Sequence, residues 1–236
     1  MKPILNIFYL MMITAGLSGQ AYEKDVFKTD NGDLEITFIG HGTLMMTFNN
    51  KVIHIDPTGM FGDYSQLPKA DLILITHEHP DHLDKKAIDL LKKDGTVIYL
   101  TATCEKTIGM GEIMTNGDTK SVLGINITAV PAYNIGKAFH PKGNGNGYVL
   151  QFGNKKVYVA GDTENIPEMA ELKNIDIAFL PMNLPFTMTP AQVAETAGVI
   201  KPAILYPYHF GESSMDELLS LMKDNKDIEI RIRKLK

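Results

Sequence analysis

Alternating apolar and polar positions recur along the chain and predict mainly strands. Residues 34–39 (Leu-Glu-Ile-Thr-Phe-Ile) alternate, and Gly40-His41-Gly42 follows as a turn. Residues 43–48 and 51–55 predict two more strands around Asn49-Asn50, a hairpin signal, the second ending in Asp56-Pro57. Residues 57–69 are rich in Pro, Gly and aromatics and predict a loop. The apolar run within 71–76 predicts a buried strand. Apolar side chains at 83, 87, 88, 90 and 91 have helical spacing, and Gly95 stops that helix. Further strands are predicted at 97–100, 121–130, 147–152, 156–160, 174–180 and 203–208, with Ile228, Ile230 and Ile232 in a closing strand. Thr189-Pro190 with Gln192 has the form of a capping box with Pro in the first helical turn. Ser213 and Ser214, each followed three residues later by an acid, start a last helix. Many strands with three or four helices predict an α/β (α+β) fold of packed sheets with helices outside. No Ser/Gly/Pro-rich linker divides residues 22–236, which are expected to form one domain.

The first 21 residues carry a different pattern. Lys2 precedes a largely apolar stretch from Ile4 to Leu17, and Gly19 and Ala21 form a small-x-small site before Tyr22. That is the form of a cleavable export signal over residues 1–21, so a periplasmic or secreted location is expected, with no stable membrane anchor after cleavage. Cys104 is the only cysteine, which excludes an internal disulfide and suits a small apolar filler. The net charge is −5, so no basic nucleic-acid footprint is present and a small-molecule substrate is expected. The basic cluster Arg231-Ile-Arg-Lys234 lies in an alternating segment and is expected on an exposed strand face.

The segment that carries chemistry follows the buried strand. His77-Glu78-His79-Pro80-Asp81-His82 packs three of the seven histidines and two carboxylates into six residues. Imidazole and carboxylate together suit zinc, manganese or iron better than calcium or magnesium. Other donors also sit at or just after predicted strands: Asp162 in Gly161-Asp162-Thr163, His209 after Tyr208, and His140 in the loop between two strands. Strand ends can converge such side chains on one point. His41 is expected to line the pocket or to satisfy a core hydrogen bond, and His54, within a strand, to be structural.

His77-x-His79-x-Asp81-His82, then His140, Gly161-Asp162 and His209, resembles the metallo-β-lactamase-fold hydrolases over roughly residues 34–210. Gly40-His41, Ile55-Asp56-Pro57 and Gly161-Asp162-Thr163 are similar to a compact branch that includes ascorbate-phosphate lactonases. The resemblance implies a four-layer αββα sandwich with two divalent transition-metal ions, zinc first among them, at one edge. It implies that His77, His79 and His140 hold one cation, that Asp81, His82 and His209 hold the other, and that Asp162 bridges them. Asp56 resembles a buried carboxylate that orients ligands from beneath the histidine loop. The third histidine of the first site is open in the sequence: either His140 folds back to it or Asn134 takes its place.

With two such cations, a shared hydroxide would attack and Asp81 would orient it and handle its proton. An exported hydrolase of esters, lactones or similar bonds is the leading expectation. A phosphodiesterase, nuclease or β-lactamase of the same fold, a two-iron redox protein, or a non-catalytic metal-binding protein are the alternatives. An apolar rim is expected from Met60, Phe61, Tyr64, Phe139, Pro185, Phe186 and Met188.

Overall fold

The computed structural model describes residues 22–236. The expected export signal of residues 1–21 lies outside the described residues. Among the described residues no helix is long and apolar enough to cross a membrane.

Two seven-stranded mixed sheets make up the frame. The first holds, in spatial order, β1 (Glu23–Thr29), β2 (Gly32–Gly40), β3 (Thr43–Phe48), β4 (Lys51–Ile55), β5 (Leu72–Leu74), β6 (Val97–Leu100) and β7 (Glu112–Ile113). The second runs from β8 (Thr119–Val122) through β9 (Ile125–Ala132), β10 (Gly145–Phe152), β11 (Lys155–Val159), β12 (Ile177–Pro181) and β13 (Ile204–Tyr208) to β14 (Glu229–Ile230). In each sheet four antiparallel strands give way to parallel strands: β4 to β7 in the first, β11 to β14 in the second. Parallel pairing needs a crossover, and the helices supply several of them.

The alternation along each strand decides which face meets which layer. Leu34, Ile36, Phe38, Leu44 and Met46 of the first sheet pack against Tyr148, Leu150, Phe152, Phe179 and Tyr206 of the second. Phe48 meets Phe152 edge-on at 5.2 Å between ring centroids, and Phe38 lies 5.1 Å from Tyr206. The other face of the first sheet (Ile73, Ile75, Ile98, Leu100) is covered by α1 (Lys85–Leu91) and α2 (Ala102–Ile108). The other face of the second (Ala178, Leu180, Leu205) is covered by α3 (Pro190–Ile200) and α4 (Met215–Met222). This is the expected αββα sandwich. Thr189 caps α3 through the predicted capping box with Gln192.

Four details differ from the sequence expectation. β1 and α2 are additional elements: α2 is only seven residues long, capped by Thr101 and closed by Gly109 at φ 68°. The single strand expected at 121–130 is a hairpin, because Leu123 and Gly124 both adopt positive φ (54° and 79°). The closing strand is reduced to Glu229–Ile230. Arg233, expected on an exposed face, instead reaches Asp25 of β1 with both Oδ atoms at 2.7–2.8 Å. Cys104 packs in the cluster under α1 and α2, where burial pushes its thiol up to about 12.

Candidate metal centre

Every donor singled out in the sequence comes from the chain following a strand, at the same edge of the sandwich. Asp56 follows β4, the His77–His82 loop follows β5, Asp162 follows β11 and His209 follows β13. His41 sits in the β2–β3 turn and His140 in the β9–β10 loop. Ligand sites at the carboxyl ends of parallel strands are the general rule for open sheets. Four of these residues hold left-handed backbone conformations: His41 (φ 53°), Asp56 (47°), His140 (54°) and His209 (47°). Non-glycine residues rarely adopt that region, and such strain concentrates at sites where the surroundings over-determine it.

Asp162 is the hub. Its carboxylate lies 3.3 Å from His140 Nε2, 3.4 Å from His82 Nε2, 3.4 Å from His209 Nε2 and 3.9 Å from His77 Nε2. His79 turns its Nδ1 to within 3.1 Å of His140 Nε2, so His77, His79 and His140 close one triangle of nitrogens. On the other side of Asp162, Asp81 Oδ2 lies 3.5 Å from His209 Nε2 and 3.8 Å from His82 Nε2. His140, not Asn134, faces Asp162. Asn134 stands behind it, and its Nδ2 donates to the Phe186 carbonyl at 2.6 Å.

The layer beneath the histidines fixes which nitrogen each presents. Asp56 is fully buried, and its carboxylate accepts from the Thr76 amide (2.7 Å), the Thr76 hydroxyl (2.6 Å) and His82 Nδ1 (2.8 Å). With its own proton given to Asp56, the Thr76 hydroxyl accepts from His77 Nδ1 at 2.9 Å. His140 Nδ1 donates to the Phe186 carbonyl at 3.1 Å. Protons on these three Nδ1 atoms leave three Nε2 lone pairs aimed at Asp162. Outer hydrogen bonds of this kind set tautomer and ring orientation in metal-binding histidines.

The resulting electrostatics need a cation. His77 Nε2, His82 Nε2, His209 Nε2 and Asp162 Oδ1 are buried with no hydrogen-bond partner among the described residues. Buried polar atoms without partners cost about 1–3 kcal/mol each. Burial, reinforced by the neighbouring imidazoles, drives the His77 imidazole well below its ordinary value and keeps its lone pair free. Burial opposes a charge on His82 as well, but Asp162 and Asp56 outweigh it and hold that imidazole up at about 9, so without a cation a proton takes the place on Nε2 that a cation would fill. Burial also works against charge on Asp162 and Asp81, yet the surrounding imidazoles, with His209 and His41 foremost at Asp81, hold both carboxyls well below the usual range. Anionic oxygens and imidazole nitrogens gathered in this way fit borderline transition metals.

Sequence reading missed several supporting groups. Thr76, which links Asp56 to His77, is marked only by its place at the strand end. Glu78 accepts twice from Asn144 Nδ2, at 2.7 and 2.8 Å, and Thr103 on α2 in turn donates to Asn144 Oδ1. This ties the histidine loop to the β9–β10 loop. The expected rim is corrected at two positions: Tyr64 and Met188 are buried in the helix-side cores. Phe61 stacks on His41 at 4.6 Å, while Phe139 and Phe186, both partly exposed, meet edge-on at 5.1 Å. His54, inside β4, donates from Nε2 to the Pro68 carbonyl at 3.0 Å and takes no part in the cluster.

Gly42 leaves room for the His82 ring, since a Cβ at this position would meet His82 Cε1 at 2.7 Å. A Gly42→Ala variant should therefore push His82 off its Asp56–Asp162 line. The expected result is a lower metal content per chain than in the wild type, read by metal analysis after dialysis.

Comparisons with known proteins bear on the fold and the family. A family model described as a Beta-lactamase superfamily domain matches residues 35–209. A UPF0173 metal-dependent hydrolase of Nanoarchaeum equitans is 33% identical over 189 residues, spanning 75% of this chain and 84% of that protein. The crystal structure of a candidate metal-dependent hydrolase from Parabacteroides distasonis is 49% identical, with a TM-score of 0.89 over 92% of this chain and 100% of that one. Igni18, a metallo hydrolase of Ignicoccus hospitalis, shares the fold at 21% identity and a TM-score of 0.72, over 86% of this chain and 95% of that one. The chain belongs to the metallo-β-lactamase superfamily, among its UPF0173 metal-dependent hydrolases.

Proposed function

We propose that this metal-dependent hydrolase works through two transition-metal cations and cleaves uncharged esters or lactones outside the cytoplasm. His77, His79 and His140 would hold the first cation and Asp81, His82 and His209 the second, with Asp162 available to both. Zinc suits these donors best, with manganese or iron as alternatives. The observation that carries the reading is the set of buried Nε2 lone pairs without partners on both sides of Asp162.

A cation pair in this cage supplies an activated water and electrophilic assistance at the scissile bond. The protein does the rest. Asp81 is the more exposed of the two central carboxylates, at 35% against 3% for Asp162, so it faces the incoming substrate. It orients the attacking water, takes its proton and returns it to the leaving oxygen. The fixed Nδ1 donors of His77, His82 and His140 hold the cage still while charge develops, so little reorganisation is needed. Phe61, Phe139 and Phe186 form an apolar border around the approach and favour an acyl or lactone group.

Charge placement around the mouth supports an uncharged substrate. In the loop between β9 and β10, Lys137 is paired with Glu164 at 2.6 Å and Lys142 with Glu168 at 2.7 Å. A phosphate group would have to compete for either lysine. The net charge of −5 also disfavours nucleic acid. Export rests on the charged, apolar and small-residue pattern of residues 1–21.

The test is metal analysis of natively expressed protein followed by a substrate panel. Two transition-metal ions per chain are expected. The loaded protein should show higher kcat/KM for uncharged esters and lactones than for phosphodiesters or β-lactams, and the reverse order sinks the substrate assignment.

A further inference from the structure

We infer that His41 is an additional ligand of the second cation, alongside Asp81, His82 and His209. The inference rests on the two-cation reading above and assigns a donor that the ligand set taken from the histidine motif lacks.

Three nitrogens surround one oxygen. Asp81 Oδ2 lies 3.3 Å from His41 Nε2, 3.5 Å from His209 Nε2 and 3.8 Å from His82 Nε2. Donors that share one cation through bonds of about 2.1 Å sit about 3.0–3.4 Å apart, the shorter spacing belonging to sites with five or six donors. The His41 and His209 contacts fall close to that spacing, the His82 contact is longer, and the ligand atoms of all four residues lie within 4.8 Å of one another. In the absence of a cation the same contact is a long hydrogen bond, just beyond the ordinary range of about 2.7–3.2 Å for N–H···O. His41 therefore stands in the same relation to Asp81 as His209 does.

The chain goes to some length to hold this imidazole there. His41 adopts φ 53°, and its carbonyl accepts the His209 amide at 3.2 Å, which straps the β2–β3 turn to the end of β13. Its ring lies 3.6 Å from the His209 ring and is stacked on Phe61 at 4.6 Å. Both flanking residues must be small: a Cβ on Gly42 would strike His82, and one on Gly40, at φ 153°, would lie 3.1 Å from Phe61 Cβ. A ring that only fills space against Phe61 does not account for Nε2 being aimed at Asp81, and an imidazole that only donates to Asp81 would leave the coordination number of the second ion, and so its visible band, unchanged when removed.

With His41 included, the second site offers three imidazoles and Asp81 besides the shared Asp162. That donor set favours cobalt, nickel, copper and zinc over manganese and magnesium.

The experiment uses the chain stripped by chelator and titrated with Co(II), following stoichiometry and the visible absorption of the bound ion. Wild type, His41→Ala and His41→Phe are compared, with circular dichroism as the check on folding. His41→Phe keeps a ring against His209 and Phe61 but removes the nitrogen. Wild type should bind two ions. Both variants should bind the first ion normally and the second at least about tenfold more weakly, since even outer-shell changes cost about 10–100-fold. The visible band of the second ion should change in both. Two ions in His41→Phe with unchanged affinity and spectrum overturn the inference while leaving the two-cation reading intact. A loss in His41→Ala that His41→Phe repairs assigns the effect to ring packing and overturns it too. Fewer than two ions in wild type overturns the underlying reading as well.

Discussion

Asp81→Ala lowers kcat on the best ester substrate by about 10²–10⁴-fold while the protein keeps its fold, the range expected for loss of a positioned acid–base group. The fold survives because the Asp81 side chain is 35% exposed and its close partners are His41, His82 and His209 within the site. The proposed two-cation reading also makes Asp81 a donor to the second cation, so metal content has to be measured on the same sample. Asp81→Asn separates the two roles: it keeps an oxygen donor but cannot take a proton. If cation content is retained in Asp81→Asn and kcat still falls, proton handling is the lost function. An unchanged kcat in both variants removes Asp81 from the chemistry.

Asp56→Ala acts on stability as well as on metal. Asp56 is fully buried and accepts three hydrogen bonds, from the amide and hydroxyl of Thr76 and from His82 Nδ1. Removing one partner from such a buried charged pair costs about 3–5 kcal/mol. His82 and, through Thr76, His77 also lose the bonds that set their tautomers. Affinity for cations should fall about 10–100-fold. Denaturant unfolding of the chelator-treated protein reads the first effect, and competition with a chromophoric chelator reads the second. Equal unfolding midpoints and m-values for variant and wild type would show that the buried network contributes nothing.

Much of this site is legible in the sequence because its chemistry is local. Three histidines within six residues after an apolar strand, and Asp162 and His209 at the ends of two more, mark a convergence point before any coordinates exist. The choice between His140 and Asn134 is not legible, since it depends on how the β9–β10 loop turns back at His140, with φ 54°. Thr76 is equally silent: a threonine at a strand end looks ordinary until Asp56 and His77 are seen on either side of its hydroxyl. Among the elements, β1 is hidden because its side chains are exposed or half-buried, leaving little apolar signal. α2 is hidden because seven residues span only about two turns and include two threonines, β-branched residues of modest helix propensity. The rim expectation fails at Tyr64 and Met188 because an aromatic or a methionine in a loop can point either way, and packing against α1 and α3 decides it.

The first sheet contributes His41, Asp56 and the His77–His82 segment, and the second contributes His140, Asp162 and His209. Neither half holds a complete set of donors. A cation in this position is thus a clasp across the seam, and its binding energy counts toward keeping the two halves together, since whatever binds only the folded form stabilises it. Availability of metal then governs not just whether the protein turns over but how long it endures, a sensible coupling for a chain that has no second cysteine with which to staple itself.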